Sequence, residues 1–131
     1  MLWKCEDRGC FNTLKRPKLE MFADCFPGRI NFGDVDAEVE IRGHFLQLEF
    51  KGYEGKFPGE VPKGQQIKFA NYTKNNGFIV VVVDGDAETM EVSHIQIWKN
   101  GRTKGWQKCG FDELKRRIRK WAELVRTGKY K

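Results

Sequence analysis

The apolar positions of this chain change period several times, and each period marks an element. Val35, Ala37, Val39 and Ile41 alternate with Asp34, Asp36, Glu38 and Glu40, and Leu46, Leu48 and Phe50 alternate with Phe45, Gln47, Glu49 and Lys51. Period two predicts two half-buried strands, and Arg42-Gly43 between them predicts a two-residue hairpin turn. That turn places Asp36 directly across from Glu49. The apolar run Phe78–Val83 suits a central strand buried on both faces, followed by a tight Asp84-Gly85-Asp86 turn. Val92, Ile95, Ile97 and Trp98 suggest a further strand, which Asn100-Gly101 turns back into a short strand through Trp106.

Helical spacing marks three segments. Leu19, Phe22, Ala23 and Phe26 predict a helix over about residues 14–25, stopped by Pro27-Gly28. A second helix is expected from Gln65 to about Asn75, with Ile67, Phe69, Ala70 and Tyr72 turned inward and Asn76-Gly77 closing it. Leu114, Ile118, Trp121 and Val125 predict a third from Phe111 to Arg126, with Asp112 as its N-cap. Residues 1–13 have no period, and Gly52–Gly64, with its four glycines and two prolines, reads as a loop that leaves the hairpin beside Lys51. The expected class is α/β, a sandwich around a mixed sheet.

The acidic hairpin carries the candidate chemistry. Directly opposed residues on paired strands have β-carbons about 5 Å apart, and like charges there are destabilising. Two carboxylates in that position call for a shared cation, and Lys51 lies on the same face as Glu49. Mg²⁺ or Mn²⁺ fits such an oxygen-ligand pair. A bound metal would polarise a phosphate and lower the pKa of a water, with a lysine to orient the water or neutralise developing charge. The Phe50 carbonyl is a candidate for a remaining ligand position. The competing reading is a solvated acidic face with an Asp34–Lys51 cross-strand salt bridge; it leaves Asp36 opposite Glu49 unexplained. Glu38 and Glu40 read as solvated, His44 as structural, and Asp34 as an alternative to Asp36 if the turn is one residue longer.

Length fits a single domain over residues 1–131, with a core at about 14–98 and a basic extension at about 99–131. The net charge of +6 is unevenly spread: residues 1–98 carry 12 Lys and Arg against 15 Asp and Glu, a balance of −3, and residues 99–131 carry 12 against 3, a balance of +9. Lys115, Arg116, Arg117, Arg119 and Lys120 crowd the last helix, a density that favours phosphate contact and hence a DNA-binding surface. Trp3, Trp106 and Trp121 are expected in the core, and Trp98, beside Lys99, is kept as a possible base-stacking platform. No stretch reads as an export signal or membrane span, so a cytoplasmic protein is expected. Of the four cysteines, Cys5 and Cys10 approach a zinc spacing, but no second pair completes a site.

The acidic strand, the Glu49-Phe50-Lys51 triplet thirteen residues after Asp36 and the helix that follows resemble the PD-(D/E)xK nuclease superfamily over about residues 17–83. Within it the likeness is to small phage-type VRR-NUC and Holliday-junction-resolvase-like endonucleases. The resemblance implies a restriction-endonuclease-like core with extra C-terminal strands and a basic helix. It also implies Mg²⁺- or Mn²⁺-dependent cleavage of DNA, structured or branched, in phage recombination or repair, and a possible homodimer. Residue by residue, Asp36 and Glu49 become metal ligands, Lys51 the catalytic lysine and Gln65 an accessory contact. Val35 departs from the proline of the superfamily's name, and Glu20 fills the acidic position of the first helix only if that helix presents it inward. Two other classes stand beside the nuclease: a non-catalytic DNA-binding or interaction protein on the same scaffold, and a zinc-stabilised module organised by Cys5 and Cys10.

Overall fold

The computed structural model describes residues 18–30, 35–51, 59–86 and 88–130. The chain divides into two compact units, Met1–Asp34 and Val35–Lys131. In the first, the described helical segment is a 3-10 helix, Leu19–Cys25, with no buried residue and no side-chain cap. An α-helix was expected there; seven residues give too few i→i−4 bonds to offset nucleation, and 3-10 geometry serves such short pieces.

The second unit is α/β, with a five-stranded mixed sheet in the order β1 (Ala37–Ile41), β2 (His44–Lys51), β3 (Phe78–Asp86), β4 (Glu91–Lys99), β5 (Arg102–Lys108). β2 and β3 are parallel, and the other neighbours are antiparallel. The parallel pair needs a crossover, supplied by α1 (Lys63–Thr73). The last helix, α2 (Phe111–Arg126), follows β5. The basic C-terminal third is therefore no appendage: β5 completes the sheet and α2 covers it. No helix among the described residues is long and apolar enough to cross a membrane.

The first hairpin forms as its pattern requires. Arg42 and Gly43 have φ of +49° and +84°, the signs of a type I′ turn, whose twist matches the strands it joins. The pairs run from Ile41–His44 to Ala37–Leu48. Asn100 and Gly101 turn the β4–β5 hairpin with the same signs, at +56° and +82°.

Alternation along β2, β3 and β4 splits the core in two. Leu46, Ile79, Val81, Val83 and Ile95 pack with Leu114, Trp121 and Val125 of α2. Val80, Val82 and Trp98 pack with Phe69 of α1 and with Val61. β3 is thus sealed on both faces, which explains its unbroken apolar run. Trp98 is 7% exposed and donates its indole N–H to Gln96 Oε1 at 2.7 Å, so it is core and not a stacking platform.

Three further expectations are corrected. Asp84-Gly85-Asp86 is not a turn but the end of β3, with a bulge at Asp84/Gly85. The reversal comes later, where Asp86 Oδ1 accepts the N–H groups of Glu88 and Thr89. Ile67 is 54% exposed, because it stands roughly 200° around α1 from buried Phe69. Gly110, not Asp112, is the N-cap of α2; Asp112 sits in the first turn, where its charge still favours the helix dipole.

Gly85 marks the tightest backbone approach. A β-carbon there would stand 2.2 Å from Glu91 O and 3.0 Å from Val92 Cα, both backbone atoms. Gly85→Ala is expected to destabilise the protein by about 1–3 kcal/mol, the usual cost of overpacking, measured by urea denaturation. An unchanged midpoint would show that the bulge opens freely.

Candidate active site

The hairpin register carried one pair beyond Ala37–Leu48 sets Asp36 against Glu49, and the hydrogen bonding agrees. Asp36 Oδ2 accepts the backbone N–H of Phe50 at 2.8 Å, which fixes the direction of that carboxylate. Lys51 Nζ lies 3.5 Å from Glu49 Oε1, with side-chain exposures of only 19% and 17%. Lys51 also donates a hydrogen bond to Gln65 Oε1, in the first turn of α1. The structure therefore brings together Asp36, Glu49, Lys51 and Gln65. Phe50 contributes its amide, while its side chain packs on the α2 face of the sheet.

Burial raises the Glu49 carboxyl above its ordinary range, and the Asp36 charge adds to the rise; Lys51 and, more weakly, Lys68 oppose it. Burial disfavours the ionised form, and a second carboxylate does the same by repulsion. The exposed Asp36 thus adds to the cost of ionising the partly buried Glu49.

Lys68 was not foreseen. It lies three residues beyond Gln65, so one helical face carries both, and that spacing was the available signal. Asp84 was missed as well, because the turn assigned to it hid it. The parallel register sets it beside Lys51, and the antiparallel one sets it beside His94. Asp84 is fully buried; its Oδ2 accepts the Gly59 N–H at 3.0 Å, and its Oδ1 has no hydrogen-bond partner among the described residues. A β-carbon on Gly59 would come within 3.9 Å of Lys51 Cβ, so the backbone at Gly59 passes beside the catalytic candidate; residues 52–58 of the expected loop lie outside the described residues. Glu38 is not simply solvated: its Oε2 accepts Gln47 Nε2 at 2.8 Å. Burial, followed by the Glu38 charge, pushes the Tyr72 hydroxyl up.

The basic helix lies elsewhere. α2 packs on the Leu46–Ile79–Ile95 face, whereas Glu49 and Lys51 open on the α1 face. Arg116 and Arg117 both pair with Glu113, and Arg117 also donates to Gln107. The two arginines, Arg116 first, hold the Glu113 carboxyl down to about 2. Lys115 lies over the Phe111 ring at 5.6 Å, and Arg119 and Lys120 are exposed. The helix does begin at the site's end of the sheet, since Cys109 N–H bonds Ser93 O beside His94. Lys51, Asp84, His94 and Lys108 follow one another in register across the strands there.

Cys5, Cys10, Trp3 and Asp34 lie outside the described residues. Among those described, Cys25 and Cys109 are free thiols, no three His, Cys, Asp or Glu side chains cluster tightly enough to hold a metal by themselves, and Glu20 is exposed within the first unit. No protein-family model matches the chain, and neither a curated protein nor a solved structure shows significant similarity to it.

A raised carboxyl pKa has a definite sign. The advantage of the protonated folded form is fully present below the ordinary value of 4.5 and is lost as pH rises through the folded pKa. Glu49→Gln, which fixes the neutral form, is expected to raise the melting temperature at pH 7 in metal-free buffer, with the gain vanishing below pH 4.5. Thermal denaturation at the two pH values checks this; an equal gain at both would place the cause in packing.

Proposed function

We propose that the protein is a Mg²⁺- or Mn²⁺-dependent endonuclease that hydrolyses DNA phosphodiester bonds on a restriction-endonuclease-like core, with structured or branched DNA as its substrate. The observation that carries this reading is the Asp36–Glu49 pair, which shares one end of the hairpin with Lys51 while Lys51 is held by Gln65. Its position also supports the reading. Open α/β sheets bind ligands outside the carboxyl ends of their parallel strands, and Glu49 and Lys51 stand at that end of the parallel β2–β3 pair.

The donor set fits a hard divalent cation. Mg²⁺ is commonly held by one or two carboxylates, with water and substrate phosphate completing its shell, so two protein carboxylates suffice. Asp36 and Glu49 would hold the ion, with the Phe50 carbonyl as a further ligand. The ion supplies charge on the scissile phosphate and acidifies a bound water. Asp36 arrives oriented, because the Phe50 amide holds one of its oxygens. Glu49 gains the counter-charge that burial withholds. Lys51, ion-paired with Glu49 and hydrogen-bonded to Gln65, offers its ammonium protons to the phosphate oxygens or, once deprotonated, a base to the water. Lys68 adds a second cation beside Glu49 for a flanking phosphate. Lys108 and Lys115, where β5 ends and the basic helix begins, offer charge at the same end of the sheet for the substrate backbone, a contact without sequence preference.

Cleavage of a labelled panel (linear duplex, single strand, splayed arm, four-way junction) in Mg²⁺, Mn²⁺ or EDTA tests the proposal. Metal-dependent cutting is expected, with Lys51→Ala slower by about a hundredfold or more and Asp36→Ala or Glu49→Ala inactive though folded. Binding without cutting in every lane would leave a DNA-binding protein on this scaffold. Neither binding nor cutting would sink both readings.

A further inference from the structure

The sheet face that carries no carboxylate site holds a second feature. Between α2 and β3–β4 runs a cleft of about 500 Å³, within the usual volume range of small-molecule sites. Its floor is hydrocarbon, including Ile79, Ile97, Ile118 and Leu124. Its charged lining is wholly cationic, formed by Lys99, Arg116, Arg117 and Lys120, with no Asp or Glu among the described lining residues.

Two observations say what the cleft wants. Arg116 and Arg117 are braced by Glu113, and Arg117 also by Gln107, and Lys99 stands over the Tyr130 ring at 4.6 Å, so three of the four cations are held in place. Lys120 makes no ion pair with any described residue. Independently, Trp121 lines the same cleft, is 8% exposed, and has an indole Nε1 that is buried with no hydrogen-bond partner among the described residues. A buried donor left unpaired is destabilising, and a ligand acceptor that reached it from the cleft would relieve it.

We infer that this cleft is a binding site for an anionic amphiphile, a carboxylate on a medium-length alkyl chain, with the chain along the apolar floor and the carboxylate between Lys120 and the neighbouring arginines. The hydrocarbon floor suits an alkyl chain better than a nucleobase, which would need aromatic faces to stack upon. An all-cationic lining selects the anionic head. This inference is independent of the nuclease reading.

Dodecanoate, below its micelle concentration, is the probe, and the readout is the indole N–H region of the ¹⁵N–¹H NMR spectrum. The four tryptophans give four side-chain signals, and Trp121→Phe assigns the relevant one. Dodecanoate is expected to shift the Trp121 signal saturably, while dodecyltrimethylammonium leaves it in place. Lys120→Glu, at an exposed position, should weaken binding by about tenfold or more. Ile97→Phe, which adds bulk to the floor while keeping every cation, should weaken it too, with the backbone spectrum confirming that each variant is folded. No saturable shift, an equal response to the cationic amphiphile, or unchanged affinity in Lys120→Glu would overturn the site.

Discussion

The register of the first hairpin is the constraint on which the rest depends. Side chains on a strand alternate faces, so a slip of one residue between β1 and β2 would carry Glu49 and Lys51 to the opposite face and separate Asp36 from Glu49. Arg42 and Gly43 prevent the slip by adopting positive φ together, and Glu40 accepts the Gly43 N–H at 2.7 Å to hold the turn. Arg42 also donates to the carbonyl of Arg126 at 2.8 Å, which fastens the hairpin tip to the end of α2. The position of two carboxylates at one end of the hairpin is therefore set at the other end, by a turn that contributes no chemistry.

Burial on both faces then divides the unit into two chemical environments. The α1 face is dry near Phe69, Val80 and Val82 and turns acidic toward β1, an edge strand, where Glu38, Asp36 and Glu49 gather. The α2 face is apolar inside and cationic outside. Because β3 separates them as a fully covered strand, the basic helix cannot neutralise the carboxylates directly. That separation leaves Glu49 with Lys51 and the more distant Lys68 as its compensating charges, and it explains why the carboxyl stays raised in a protein with a net charge of +6.

The elements whose geometry is local were legible in the residues. The two Gly-containing turns, the double burial of Phe78–Val83 and the apolar stripe of α2 each follow from spacing alone, and so does the Asp36–Glu49 juxtaposition. What could not be read depends on contacts between segments distant in sequence. Asp84-Gly85-Asp86 has turn composition, yet Asp84 is drawn into the sheet because Gly59, twenty-five residues earlier, donates to it, and Ser93 Oγ bonds its carbonyl. The parallel pairing that sets Asp84 beside Lys51 leaves no mark in either segment. The density of Lys115–Lys120 likewise suggested a free cationic surface, although Glu113, one turn earlier, takes up two of the arginines.

The Lys51–Gln65 contact links the two scales. Lys51 holds two partners at once: the partly buried Glu49 carboxylate, 3.5 Å away in an ion pair, and the neutral Gln65 Oε1 from the first turn of α1, so the carboxylate alone does not set its position. The start of α1 is in turn fixed by the chain that precedes it: Gly59 is tied to Asp84, Val61 is buried against Phe69, and Gln66 donates to the Val61 carbonyl at 2.8 Å. Asp84 thus reaches Lys51 both as its neighbour across the strands and through the backbone of residues 59–65. A buried carboxyl with one oxygen on a loop amide and the other without a partner among the described residues is costly to keep, and a cost of that kind is understandable where it sets the position of a glutamine that in turn sets a lysine.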